Sequence, residues 1–154
     1  MKLLVFSDTH GHTGHLRAAL QRHPDAAALF FLGDGLRDIE ELEDTHPALR
    51  VYAVRGNCDY ASFAPQDGLA AFDNVLFYYT HGHLLGVKAG YEQLYFAAKS
   101  RGADVALFGH THRAFCEEWD GVTLFNPGTL SYPDASYGVI ELANGKPTFR
   151  IEHL

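Results

Sequence analysis

Short apolar runs separated by glycine-punctuated polar breaks set the rhythm of this chain. Residues 3–6 (Leu-Leu-Val-Phe) predict a fully buried strand. In 15–23, Leu16, Ala19 and Leu20 fall at helical spacing, and Pro24 closes the helix. A second apolar strand is predicted at 27–32, stopped by Gly33-Asp34-Gly35, and a short helix with an acidic face at 36–42. A third strand at 50–54 stops at Gly56-Asn57. The first third of the chain therefore reads β-α-β-α-β, the pattern of a parallel sheet.

Residues 61–68 read as a loop, and Asp73-Asn74 as the turn of a hairpin joining 69–72 to 75–79. A helix is predicted at 91–100, with Gly102 at its C-terminal end, and a buried strand at 105–108. After Gly109 the texture changes to short strands at 115–119, 122–125, 137–142 and 147–151, with Asp120-Gly121 and Asn144-Gly145 as hairpin turns. The expectation is one α/β domain over residues 1–154 whose C-terminal part is mostly antiparallel.

Composition narrows the function classes. The chain has 154 residues and a formal charge of −7, from 12 Lys and Arg against 19 Asp and Glu, with no basic run. Counterion release on a duplex needs a basic stripe, so nucleic acid is disfavoured as a partner, and an anionic membrane surface with it. No apolar stretch approaches the ~20 residues of a membrane span. The run 1–6 ends at Ser7-Asp8, too early for a signal-peptide core, and the expected location is the cytoplasm. Two cysteines, Cys58 and Cys116, exclude a disulfide scaffold. Ten histidines are the anomaly, and their positions show where the chemistry lies.

Each predicted buried strand runs out into a polar cluster. The clusters are Asp8-Thr9-His10, Gly33-Asp34, Gly56-Asn57-Cys58-Asp59, His81-Gly82-His83 and Gly109-His110-Thr111-His112. In open α/β sheets the carboxyl ends of the strands form the ligand crevice, so these groups are expected at one edge. Imidazole and carboxylate without a thiolate cluster suit first-row divalent metals such as Mn, Fe, Ni or Zn. Two such ions some 3.5–4 Å apart are a recurrent device for hydrolysing phosphate esters. Taken singly, Asp-x-His or Gly-Asp is as easily a turn; the ordered set carries the inference.

That ordered set resembles the calcineurin-like metallophosphoesterase superfamily, whose pattern is D-x-H, G-D, G-N-H-[D/E], H and G-H-x-H. The small size, the Cys in the third motif, His-Gly-His and Asn126-Pro127-Gly128-Thr129 make it most similar to the short YfcE-like phosphodiesterase branch. The resemblance implies a four-layered αββα sandwich, two mixed sheets face to face and flanked by helices. It implies that Asp8, His10 and His112 hold one metal and Asn57, His81 and His110 a second, with Asp34 bridging them. Two divalent transition-metal ions follow, manganese first and iron, nickel or zinc as alternatives. The implied reaction is hydrolysis of a small phosphodiester by a metal-bridging hydroxide, with Asn57 helping to stabilise charge.

Two departures stand out. Cys58 occupies the usual histidine position of the third motif, and Arg37 stands where larger relatives place the Asp that partners that histidine. A thiol is a poor substitute for imidazolium as a general acid. On its own, Cys58 reads as a small buried residue packed beneath the site. Beyond the ligand set, His83, Arg55 and His12 are candidates to orient a ligand or touch substrate, while His15, His23, His46 and His153 fall in no motif and read as surface residues. The competing reading is a non-catalytic Vps29-like interaction scaffold, which has no need of seven intact ligands. A metal-dependent nuclease is a third reading, opposed by the charge. A C-terminal strand left exposed could pair two copies into a homo-oligomer.

Overall fold

Alternation along β1 (Lys2–Phe6) decides the architecture: Leu3 and Val5 enter one apolar cluster, Leu4 and Phe6 another, so the strand is buried on both faces. The computed structural model describes residues 1–60, 62–131 and 133–154. After β1 come α1 (Thr13–Gln21), β2 (Ala28–Phe31), a 3₁₀ turn at Leu36–Ile39, α2 (Leu42–Thr45) and β3 (Arg50–Ala53). There follow β4 (Asp67–Phe72), β5 (Val75–Thr80), a 3₁₀ turn at His83–Leu85, α3 (Glu92–Ser100) and β6 (Val105–Leu107). The chain closes with β7 (Phe115–Trp119), β8 (Val122–Asn126), β9 (Ser136–Ala143) and β10 (Lys146–His153).

Two five-stranded mixed sheets result, in the orders β10-β9-β1-β2-β3 and β4-β5-β6-β8-β7. In the first, β1, β2 and β3 run parallel and β9 returns antiparallel beside β1. In the second, β5, β6 and β8 run parallel, with β4 and β7 antiparallel at the edges. One cluster, centred on Phe30, Phe77 and Phe125, fills the space between the sheets. A second packs α1 on the outer face of the first sheet, and a third packs α3 on the outer face of the other. Three apolar interlayers make four layers, αββα, as expected.

The helices form where amphipathic spacing allows them. In α1, Leu16, Ala19 and Leu20 are buried, and the helix begins at Thr13, earlier than its apolar stripe. It ends before Pro24, whose ring cannot continue it. The single helix expected at 36–42 is instead a 3₁₀ turn followed by the separate α2. The cause is a tertiary contact: the amides of Gly35 and Leu36 donate to the Asp59 carboxylate, which fixes a tight entry.

One further expectation is corrected. The loop at 61–68 is shorter, because Asp67 and Gly68 pair with Thr80 and Tyr79 as the start of β4; Ala61 lies outside the described residues. Gly68 has no Cβ because one would meet the Tyr79 ring. The C-terminal part is mostly antiparallel, as expected: β7 with β8, β10 with β9 and β9 with β1 are antiparallel, while β8 lies parallel to β6, and the two hairpins join different sheets. Cys58 and Cys116 are free and exposed. Among the described residues no helix is long and apolar enough to cross a membrane.

Phe30 is fully buried, with ring centroids of Tyr52, Phe72, Phe77 and Tyr79 at 5.5, 6.0, 5.4 and 5.2 Å. Urea unfolding of Phe30→Ala is expected to show a loss of about 3–5 kcal/mol. Phe96→Ala, on an exposed face of α3, is expected to stay within about 0.5 kcal/mol of the parent.

Candidate metal centre

Five strands point their carboxyl ends at one edge, and backbone hydrogen bonds tie the loops that follow. The Asp8 amide donates to the Gly33 carbonyl (3.0 Å), the His10 amide to the Asp34 carbonyl (3.1 Å), and the Gly109 amide to the His81 carbonyl (3.0 Å). The last of these links two loops of the second sheet; the other two link the loops after β1 and β2. Side chains brought to this edge form two groups of three metal-competent donors, Asp8, His10 and His112, and Asp34, His81 and His110. A third overlapping group, His10, Asp34 and Cys58, connects them.

Within the first group, His112 Nε2 lies 3.1 Å and His10 Nε2 3.5 Å from Asp8 Oδ1, and the two imidazole nitrogens are 3.3 Å apart. Within the second, His81 Nε2 is 3.3 Å from Asp34 Oδ2 and 3.1 Å from His110 Nδ1. Asn57 adds its Oδ1 at 3.0 Å from His81 Nε2. His10 Nε2 to Asp34 Oδ2, at 3.9 Å, and His81 Nε2 to Asp8 Oδ1, at 4.0 Å, bridge the groups.

The residues fit a cation. His81 is fully buried and its Nδ1 donates to the Leu32 carbonyl at 2.6 Å, so in the neutral ring Nε2 carries the lone pair. That lone pair faces a carboxylate oxygen, an amide oxygen and a second imidazole nitrogen. A divalent ion reconciles these facing lone pairs, and the nitrogen and oxygen donor set matches first-row transition metals.

Before a cation binds, a proton takes its place: burial works to lower the His81 pKa, yet the Asp34 hydrogen bond and the Asp8 charge raise it, and a divalent ion would displace that proton. Burial works to raise the Asp8 pKa, yet the hydrogen bonds of His10 and His112, helped by the His81 charge, hold it well below the usual carboxylate range. Asp34 is likewise held low against burial by His81 and the Cys58 amide. Burial and the neighbouring His81 charge push His110 down to about 4, which leaves its ring neutral and available as a ligand.

Backbone strain concentrates here. Asp8, His10, Asp34, His110 and His112 all have positive φ, between 44° and 69°. The other non-glycine residues of this kind among those described, Asp73, Asn74, Asp120 and Asn144, sit in hairpin turns, where that conformation is ordinary. A left-handed non-glycine residue costs of the order of 1–3 kcal/mol and persists only where surrounding structure over-determines it. Glycine makes the close approach possible: a Cβ on Gly56 would fall onto Asp34 Oδ1.

An outer layer of residues supplies that over-determination. Asp59 accepts four amides: Oδ2 from Asp34 (2.7 Å) and Gly56 (2.8 Å), Oδ1 from Gly35 (2.9 Å) and Leu36 (3.0 Å). Asp38 accepts the Thr9 hydroxyl (2.5 Å) and the Gly11 amide (2.9 Å). Thr129 donates to the Asp8 carbonyl (2.7 Å), and the Asn126 amide donates to the Gly109 carbonyl and to Thr111 Oγ1, each at 3.1 Å. Sequence reasoning gave none of these residues a role. Asp59 and the Asn-Pro-Gly-Thr run stood inside quoted motifs and could have been found; Asp38, an acid among acids, carried no signal.

The remaining candidates divide. Cys58 is exposed, which corrects the reading of a residue packed beneath the site; its amide donates to Asp34 Oδ1 at 2.7 Å. Burial of its sulfur and the nearby Asp34 charge push its thiol up, so it stays protonated near neutral pH. His83 stands beside the second group, its ring centroid 5.4 Å from that of His81 and its Nδ1 buried without a partner. Burial, with the His81 charge, lowers its pKa. Arg55 donates to the Ser62 carbonyl at 3.2 Å and so braces the loop after β3. His12 bonds the Thr9 carbonyl at 3.1 Å and stacks on His15. His23, read from sequence as a surface residue, is buried against the Tyr137 hydroxyl (3.1 Å) and Glu152 (2.7 Å).

Comparison with known proteins yields the following. Residues 1–145 match the calcineurin-like phosphoesterase superfamily domain. The probable metallophosphoesterase YsnB of Bacillus subtilis is 36% identical, over 97% of this chain and 89% of its own. The phosphodiesterase YfcE of Escherichia coli is 32% identical, over 92% and 88%. The solved structure of Vps29 from Entamoeba histolytica complexed with zinc superposes with a TM-score of 0.80, covering all of this chain and 98% of that one. At 19% identity its likeness is one of fold.

Asp59 provides the first test of this edge. Asp59→Asn leaves one carbonyl oxygen where two carboxylate oxygens now receive four amides. The expected outcome is a roughly 10–100-fold loss of Mn²⁺ affinity by titration calorimetry. Affinity equal to the parent's would separate Asp59 from the centre.

Proposed function

The chain belongs to the calcineurin-like phosphoesterase superfamily, a family of hydrolases, and on that premise we propose that it cleaves small phosphodiesters with two divalent transition-metal ions. The observation that carries this reading is the pair of three-donor groups, one around Asp8 and one around Asp34, linked through His10 and Asp34. In the proposed assignment Asp8, His10 and His112 would hold one ion and Asn57, His81 and His110 the other, with Asp34 shared between them. Manganese is the first metal of choice; iron, nickel and zinc share the same donor preferences. The 154 residues act as one unit in this reading.

Two bound cations supply Lewis-acid charge and an activated water. The chain's own residues do the rest. His81 is held by the Leu32 carbonyl, so its Nε2 is aimed before anything binds. The Asn57 Nδ2, 3.5 Å from Cys58 Sγ, is a neutral donor at the exposed mouth of the site, suited to meeting charge that develops on a phosphoryl oxygen. Cys58 stands where an imidazolium would assist the leaving oxygen, and its protonated thiol is a far weaker acid. Departure then depends on the leaving group's own stability, and aryl esters are favoured over alkyl esters.

The fold likeness to Vps29 supports a second reading, an interaction scaffold. Turnover of bis-p-nitrophenyl phosphate separates the two. Chelation should abolish turnover and added Mn²⁺ restore it, whereas a scaffold shows no turnover with or without bound metal. Asp34→Asn should lower turnover by about 10³-fold, the several kcal/mol that a metal contributes to the barrier.

Leaving-group dependence tests the role of Cys58. Across aryl methyl phosphates the rate should fall steeply as the phenol pKa rises, and Cys58→His should flatten the slope by restoring an acid worth roughly 10²–10⁴-fold. A flat slope in the parent would overturn this account of Cys58.

A further inference from the structure

One long strand of the first sheet has a neighbour on a single side. β10 pairs with β9 residue for residue, from Lys146 opposite Ala143 to His153 opposite Ser136, and is the outermost strand of its sheet. The direction of its backbone groups follows from β9. Leu142, the residue opposite Pro147, donates its N–H to the Met1 carbonyl (2.8 Å) and accepts the Met1 amino group on its own carbonyl (3.0 Å). Both groups of Leu142 thus point away from β10, and in an antiparallel pair Pro147 must then turn its backbone away from β9. With a period of two, Phe149, Ile151 and His153 do the same. The His153 carbonyl confirms this phase, because it accepts the Arg22 guanidinium from outside the sheet (2.8 Å). Among the described residues no further strand, loop or side chain bonds the N–H and C=O groups of Phe149 and Ile151.

An edge of this kind is a template for one more strand, and folds guard against it with short edges, prolines and lysines. Here Lys146 and Pro147 guard only the start of β10. Beyond them Phe149 and Ile151 pack against the apolar cluster between the sheets, while Arg150 and Glu152 share the opposite face, Arg150 Nε 3.9 Å from Glu152 Oε1. β7, at an edge of the second sheet, is shorter and sets Glu117 beside Glu118.

The same stretch selects a second copy of itself. Two antiparallel β10 strands are related by a two-fold axis, so the register is defined by the residue on that axis. Centred on Arg150, two guanidinium groups oppose each other. Centred on Phe149, the Ile151 carbonyl faces Pro147, which has no N–H. Centred on Ile151, each open amide and carbonyl from Phe149 to His153 finds a partner: Ile151 pairs with Ile151, and Phe149 with His153. The His153 carbonyl can keep its bond from Arg22, since an oxygen accepts twice. In that register Arg150 of each copy stands opposite Glu152 of the other, and the Ile151 side chains meet across the axis. We propose that β10 is a self-association surface through which two copies of this chain join, in the register centred on Ile151, into one continuous sheet.

Sedimentation equilibrium on the full chain, from micromolar to millimolar concentration, should show monomer and dimer in exchange. Over that range hydrogen exchange should slow at the Phe149 and Ile151 amides as concentration rises, while the Thr148 and Arg150 amides, which face β9, stay protected throughout. Arg150→Glu places like charges at both cross-strand pairs and should weaken the dimer by about tenfold. Glu152→Lys should do the same, and an equimolar mixture of the two variants should regain the parent's affinity, because opposite charges face each other again. Glu118→Arg, on β7, should leave the dimer unchanged. If Glu152→Lys loses protection at Thr148 and Arg150 it has disturbed β10 itself, and Arg150→Glu together with the parent's amide protection then decides. A chain that stays monomeric at millimolar concentration overturns the proposal. So does a dimer whose Phe149 and Ile151 amides exchange independently of concentration, or one indifferent to Arg150→Glu.

Discussion

One carboxylate holds the candidate centre together. Asp59 receives four backbone N–H groups from two turns, those at Asp34–Leu36 and at Gly56. Charge-assisted hydrogen bonds of this kind are about twice as strong as neutral ones. Here they satisfy amides that a short 3₁₀ entry would otherwise leave unpaired. Through them β2 and β3 deliver Asp34 and Asn57 as one rigid piece. The left-handed backbone at Asp34 persists because this lattice over-determines it.

The same logic extends to the other loops. Thr9 and Gly11 hang on Asp38, Asp8 on Thr129, and the Gly109 loop on Asn126. Strain at five donor residues is distributed over a hydrogen-bonded outer layer rather than over the core. The core has a separate task. Three apolar interlayers fix the two sheets and their helices, so the carboxyl ends of five strands meet at one edge. Packing places the loops, and polar bonding shapes them.

The candidate centre is buried at its carboxylates and open at its mouth. His81, Asp8 and Asp34 are buried, whereas Asn57 and Cys58 are exposed. Replacing an imidazole by a thiol at position 58 leaves charge stabilisation to the other donors.

The sequence by itself determined the strands, the α1 and α3 helices, and the polar clusters beyond the strands, from which the resemblance to a known motif order selects seven candidate donors. Short apolar runs bounded by glycine, and polar clusters just beyond them, are local signals that survive without knowledge of neighbours. Local signals also made Asp59 visible without revealing its role, since a carboxylate that binds distant amides looks like any turn acid. What only the tertiary structure decided is long-range. A strand buried on both faces shows no preference for one sheet over another, so the split of the C-terminal hairpins between β8 beside β6 and β9 beside β1 could not be read. The burial of His23 against Glu152 joins residues far apart in the chain, and the exposure of Cys58 depends on how a whole loop is tied down. Periodicity reports which faces are apolar, and only packing selects what each face meets.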